Sequence, residues 1–136
     1  MTKTSSDLLK KTLLTNASVS ILGGLICLLA NGALTDLMGL GSTLYLYICG
    51  AGLILFGLDV GYTALRAIEN TLYIKFIITA DILWVAASIA LLSLAPHWFS
   101  IEGAVIIEAV AFMVAIFAVL EVVGFRKMTH ASFQAA

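Results

Sequence analysis

The sequence predicts an all-α fold, an integral membrane antiparallel four-helix bundle with both termini cytoplasmic, and three observations carry that prediction. Of 136 residues, 62% are hydrophobic and only 11% charged, with a mean hydropathy of +1.11. A soluble domain devotes about a quarter of its residues to charge, so this chain lacks the polar surface that water would require. Four apolar runs, at about 13–34, 43–65, 73–95 and 102–124, each reach the roughly 20 residues needed to cross a hydrocarbon core. The seven basic residues are placed unevenly. Lys3, Lys10 and Lys11 precede the first run, Arg66 and Lys75 flank the link between the second and third, and Arg126 and Lys127 follow the fourth. By the positive-inside rule, that side is cytoplasmic. One transmembrane domain, 1–136, with a short polar tail at 125–136, is the expected organisation.

The first run also has the general look of a cleavable signal, with lysines before it and small residues at Ala30 and Gly32. Its length favours a retained span. Residues 1–6 read as a frayed start, with Ser6 or Asp7 as a cap before the helix. Within the span, Asn16 lies near the inner surface and Asn31 near the outer one, each read as an interfacial or interhelical hydrogen-bonding residue, while Gly23-Gly24 lets another backbone come close. The outer link that follows, Thr35 to Ser42, reads as a brief helix or turn on the membrane surface.

The second span opens with Tyr45 and Tyr47 at an aromatic-belt position. Its Gly57/Gly61 spacing is a small-xxx-small pattern that allows a helix to pack closely around Asp59. The short link that follows makes spans two and three expected neighbours, with Asn70 or Thr71 capping the third span. Pro96 stops that span, and His97-Trp98-Phe99 forms an outer interfacial patch. In the fourth span Ser100 is a cap and Glu102 a first-turn acid. Glu108 shares a helical face with Ala104, Ala111, Ala115 and Ala118, a face expected to meet another helix. The tail beyond about Met128 is expected to be disordered.

Chemistry must come from few groups. The third span carries Asp81 with Trp84 three residues later, and a carboxylate inside a span costs at least ~2.5 kcal/mol. At ~1.5 Å per residue, Asp59 lies about 9 Å from the cytoplasmic end of its span, Asp81 about 12 Å and Glu121 about 5 Å. These three acids, from three helices, are placed to converge in the inner half, with Arg66 and Lys75 below them as neutralising cations. Asp59, Asp81, Trp84, Glu108 and Glu121 are therefore the candidate binding or coupling residues. They admit a packing role, a proton-sharing role or hard-cation binding by carboxylates alone. No metal site or cofactor is assigned, because HxxxH, CxxC and ExxH spacings are missing and no span contains a histidine. Phosphate-cradling loops, GxSxG and HExxH are missing too, so no catalytic residue is assigned. Cys27 and Cys49 fall at similar depths, read either as small apolar fillers or as a disulfide pair between spans one and two.

The run Asp81-Ile82-Leu83-Trp84-Val85-Ala86-Ala87-Ser88, with the small-rich first span and the outer Leu-Met-Gly-Leu segment, resembles a set of small four-span bacterial membrane proteins. The resemblance implies a multi-pass protein of the bacterial inner (plasma) membrane and brings no activity with it. Small multidrug-resistance transporters are similar in size and span count, but their essential glutamate sits in the first span, where this chain has no acid. The stretch Arg66-Ala67-Ile68-Glu69-Asn70 resembles an element of the glutathione-dependent MAPEG enzymes, without its E-N-x-x-P continuation.

The sequence thus points to a non-enzymatic membrane protein, a structural or accessory subunit or a homo-oligomer, in contact with the lipid bilayer and with no nucleic acid. The alternative is a proton- or cation-coupled small-molecule carrier that uses Asp81 and Asp59.

Overall fold

The computed structural model describes residues 2–136 and is helical throughout, with no strand among the described residues. Helices α1 (Thr2–Leu29), α2 (Asn31–Met38), α3 (Leu44–Arg66), α4 (Thr71–Leu94) and α5 (Ile101–Ala135) follow one another, with a 3-10 turn at Pro96–Trp98 before α5. Four of them, all but α2, are long and apolar enough to cross a membrane. Leu55, Leu58, Phe76, Leu83, Phe112 and Val119 lie exposed on the outside, an arrangement that suits lipid and not water.

Most helix ends follow the expected chemistry. Asn70 caps α4 by accepting from Leu72 N at 3.1 Å, and Ser100 caps α5 by accepting from Gly103 N at 3.0 Å. The ends of the chain depart from expectation. Helix α1 starts at Thr2, so the expected frayed segment and its cap at Ser6 or Asp7 are already helical, while Met1 lies outside the described residues. Helix α5 runs on to Ala135, so the tail expected to be disordered is a continuation of the last helix. Beyond Gly124 it contains neither glycine nor proline to interrupt it. The first run also breaks early. The chain turns at Ala30, and Asn31 starts α2 instead of closing the first span.

That turn is held by side chains. Asn31 donates through Nδ2 to the Thr43 carbonyl at 3.1 Å and accepts from Thr35 Oγ1 at 3.2 Å. Helix α2 ends at Gly39, whose φ of 70° is the left-handed conformation glycine adopts without cost. Just beyond the turn, Ser100 donates through its backbone N to the Met38 carbonyl and through Oγ to the Leu37 carbonyl, tying α2 to the start of α5.

The long helices are not packed in chain order. Helix α1 lies along α3 on one side and against α5 on another, and α5 lies against α4, whereas α3 and α4 share little contact. The reason is in the side chains at each seam. A methyl group added to Gly24 would stand 2.6 Å from the Gly50 carbonyl oxygen, and one on Gly57 would stand 2.7 Å from Ile21 Cγ1 and 2.9 Å from the Ala17 carbonyl oxygen. Small residues have let the α1 and α3 backbones approach to contact, which maximises dispersion where no hydrophobic effect between helices operates. The Gly57/Gly61 pattern is thus spent on α1, not on a partner around Asp59. The expectation that spans two and three would be close neighbours is corrected accordingly. A four-residue link brings their ends together without packing their faces. At the link end, Leu9, Leu13 and Ala17 of α1 join Val60 and Ala64 of α3 with Ile74, Ile77 and Ile78 of α4 in one buried cluster.

Candidate functional site

Above that cluster the bundle holds a polar site with a cavity beside it. Helix α1 buries one stripe at helical spacing, Leu9, Thr12, Leu13, Asn16, Ala17, Ser20 and Gly24. Asn16 is therefore carried to the bundle centre, where it is 2% exposed. Its amide Nδ2 donates to Asp81 Oδ2 of α4 at 2.7 Å and to Glu121 Oε1 of α5 at 2.9 Å. Its Oδ1 accepts from Ser20 Oγ, one turn along α1, at 3.2 Å. An amide has two hydrogens and one carbonyl oxygen to offer, so this network uses each of them and fixes which way the amide faces.

The two carboxyls it holds are 3% and 0% exposed for Asp81 and Glu121. One amide nitrogen, Nδ2 of Asn16, bonds both of them, so the two carboxyls are gathered at a single point of the bundle. Among the described residues, neither forms an ion pair with a lysine or arginine, and Lys75 and Arg66 are exposed. One atom is left over. Glu121 Oε2 is buried and has no hydrogen-bond partner among the described residues. Burying an acceptor in this way costs about 1–3 kcal/mol, which marks the site as incomplete by its own hydrogen-bond accounting.

Of the residues that the sequence singles out, two come together here and the others take different places. Asp81 and Glu121 meet through Asn16. Trp84, one turn beyond Asp81 on α4, is half-buried and lines the cavity. Asp59 is exposed on the outside of α3, because Gly57 and Val60 take the inward positions. It does not join the other acids, and a three-carboxylate cation site does not form. Among the described residues no group of three or more His, Cys, Asp or Glu side chains is arranged to hold a metal ion. Glu108 is exposed too, on the rim of a groove between α4 and α5 that Ser88, Ser93, Ala111 and Ala115 help to line. The small face does meet α4 through buried Ala111, but Glu108 stands at its edge.

The residue that sequence reasoning undervalued is Asn16. Its signal is present: Asn16, Ser20 and Gly24 recur every four residues, so the asparagine shares the close-approach face of α1. Glu121 meets Asp81 as its place near the inner end of the fourth span led one to expect.

The cavity has a volume of about 520 Å³ and lies between all four long helices. Asn16, Asp81 and Trp84 mark its polar end, and Met38 and Leu46 its other end. Between them the walls are almost wholly apolar, with Phe56, Ile107 and Phe117 among them. Such a shape, apolar with a few polar groups gathered at one end, is the ordinary form of a small-molecule site. Cys27 and Cys49 are both free and lie side by side on its wall, where α1 and α3 cross at Gly24 and Gly50. No protein-family model, curated protein or solved structure matches the chain.

Proposed function

We propose that this is a non-enzymatic multi-pass membrane protein that takes a small apolar molecule into the bundle and couples its occupancy to a proton held by Asp81 and Glu121. The observation that carries the reading is the juxtaposition of a roughly 520 Å³ cavity with two buried carboxyls bridged by Asn16. A bundle selected only for rigid packing would fill that space, since each lost contact weakens it. A carboxyl pair placed purely to fix helix register would have every oxygen satisfied, and Glu121 Oε2 is not. The proton-coupled carrier, which the sequence offers as the alternative to a structural subunit, therefore keeps Asp81, takes Glu121 and Asn16 as its partners, and loses Asp59.

In this reading the protein lies in the inner membrane of a bacterium as an antiparallel bundle. The meeting of residue 24 with 50, and of 17 with 57, supports the opposite directions of α1 and α3. The basic residues at the link end and at both termini support a cytoplasmic location for that end.

A second reading, a homo-oligomer or accessory subunit, is favoured by Asp59 and Glu108. Both are carboxyls exposed on helix faces that otherwise present apolar side chains to lipid, and a neighbouring subunit would cover them. The two readings are compatible, and native mass spectrometry from nanodiscs addresses both. Coupling predicts a retained small molecule that is lost in Asp81→Asn, whereas a purely structural subunit predicts a defined oligomer with nothing bound in either form.

A further inference from the structure

We infer that the molecule taken up is a lipid-soluble amine, which enters as the neutral base through the opening between α3 and α4 and is protonated in place by the Asp81–Asn16–Glu121 site. The inference rests on the carrier reading above and adds the ligand class and the route.

The route follows from how the helices are ordered. Contacts run from α3 to α1, from α1 to α5 and from α5 to α4, and the ring is left unclosed between α4 and α3. The link end is shut by the cluster of Val60, Ala64, Ile74 and Ile77 around Leu9 and Leu13. The opposite end is covered by α2, which is tied to Ser100 at the start of α5, with Met38 against Gly103. What remains is the long side of the cavity facing the bilayer. Gly52 of α3 lies on that margin, both exposed and lining the cavity, with nothing within 4 Å of where its side chain would be. An entrance reached only through hydrocarbon admits uncharged molecules and turns ions away, because desolvating an ion costs several kcal/mol.

The ligand class follows from what the polar site lacks. Around the two carboxyls, α1 contributes only the neutral Asn16 and Ser20, and the α3 face turned inward contributes no charge, since Asp59 points outward. The cluster thus offers acceptors in excess and one of them, on Glu121, is unmet. An acidic ligand would add to the excess, and an ether or ketone would leave it unrelieved. A neutral amine answers it with charge. Its nitrogen lone pair takes the proton that the two carboxyls share, leaving both ionised beside an ammonium whose N–H donates to one of them. No electrons are transferred and net charge is conserved. Charge-assisted bonds of this kind are the strong ones, and the half-buried indole of Trp84 beside Asp81 offers an aromatic surface to the cation.

The test uses the full chain in nanodiscs and three probes of similar size: N,N-dimethyl-2-naphthylmethylamine, its N-methyl quaternary salt, and uncharged 2-isobutylnaphthalene. The expected result is saturable binding of the tertiary amine, no binding of the quaternary salt, and about 10- to 100-fold weaker amine binding in Asp81→Asn, as loss of one charged hydrogen bond implies. Gly52→Trp, with nothing within 4 Å of its Cβ, should fold normally and slow amine association by at least about tenfold by blocking the margin. Equal binding of the quaternary salt, or an unchanged association rate in Gly52→Trp, overturns the neutral lateral route and leaves the carrier reading standing. Binding of the hydrocarbon without the amine overturns the ligand class alone. If none of the three probes enters the cavity, both the inference and the carrier reading fall.

Discussion

Along α1, helix α3 packs backbone against backbone, with Gly24, Gly50 and Gly57 at positions where even a methyl group would collide. Along α4, to which it is joined by only four residues, it leaves a cavity. Nearness in sequence therefore did not decide which helices pack; the placement of small residues did. In lipid, two apolar helices gain little from leaving the solvent, so association depends on how closely their surfaces fit. The face of α3 toward α1 is cut for close fit. Phe56 of α3 and Trp84 of α4 line the cavity instead.

The comparison can be broken most severely at the tight seam. Gly24→Leu must drive α1 and α3 apart, because its Cβ alone would sit 2.6 Å from a carbonyl oxygen. Overpacking of that kind costs about 3 kcal/mol, and SDS-titrated unfolding followed by circular dichroism should register it as a clear fall in midpoint. An unchanged midpoint would mean that the seam is not closely packed.

The polar site should give the next largest effect. Asn16→Leu keeps the branched shape of the side chain but removes the donor that Asp81 and Glu121 share. Leaving both carboxyls without it should cost about 1–3 kcal/mol in the same assay. Restoration of stability by adding Asp81→Leu and Glu121→Leu to Asn16→Leu would show that the loss came from stranded carboxyls and not from packing.

At the open margin the expected effect is smallest. Gly52→Trp meets nothing within 4 Å at its Cβ, so its stability should stay within about 0.5 kcal/mol of the parent. A large loss there would mean that α3 and α4 close on each other in the membrane, and the contrast between the two seams would disappear.

How far the fold was legible in the sequence divides along the same line. The four apolar runs, Asn70 and Ser100 as caps, and Pro96 as a stop are local signals, and each depends on the chemistry of one or two residues. The glycines of α3 announced a close contact but not its partner, since a small-residue face fits any helix. Asp81 was legible because a charge inside a span must be accounted for. Glu121 was legible on the same ground, and its convergence with Asp81 follows from their similar distance from the inner ends of α4 and α5. Asn16 was hardest to value. A neutral asparagine near the start of an apolar run carries no obvious cost, and its role follows only from the two carboxyls that α4 and α5 bring to it.

The central claim is that Asp81 and Glu121 form one proton-holding unit beside the cavity, and infrared spectroscopy of the protein in lipid tests it most directly. The account predicts a protonated-carboxyl stretch at neutral pH that shifts in deuterium oxide, disappears in the Asp81→Asn/Glu121→Gln variant and is lost when the tertiary amine binds. Absence of that band in the parent protein, or its persistence unchanged in the double variant, would contradict the account.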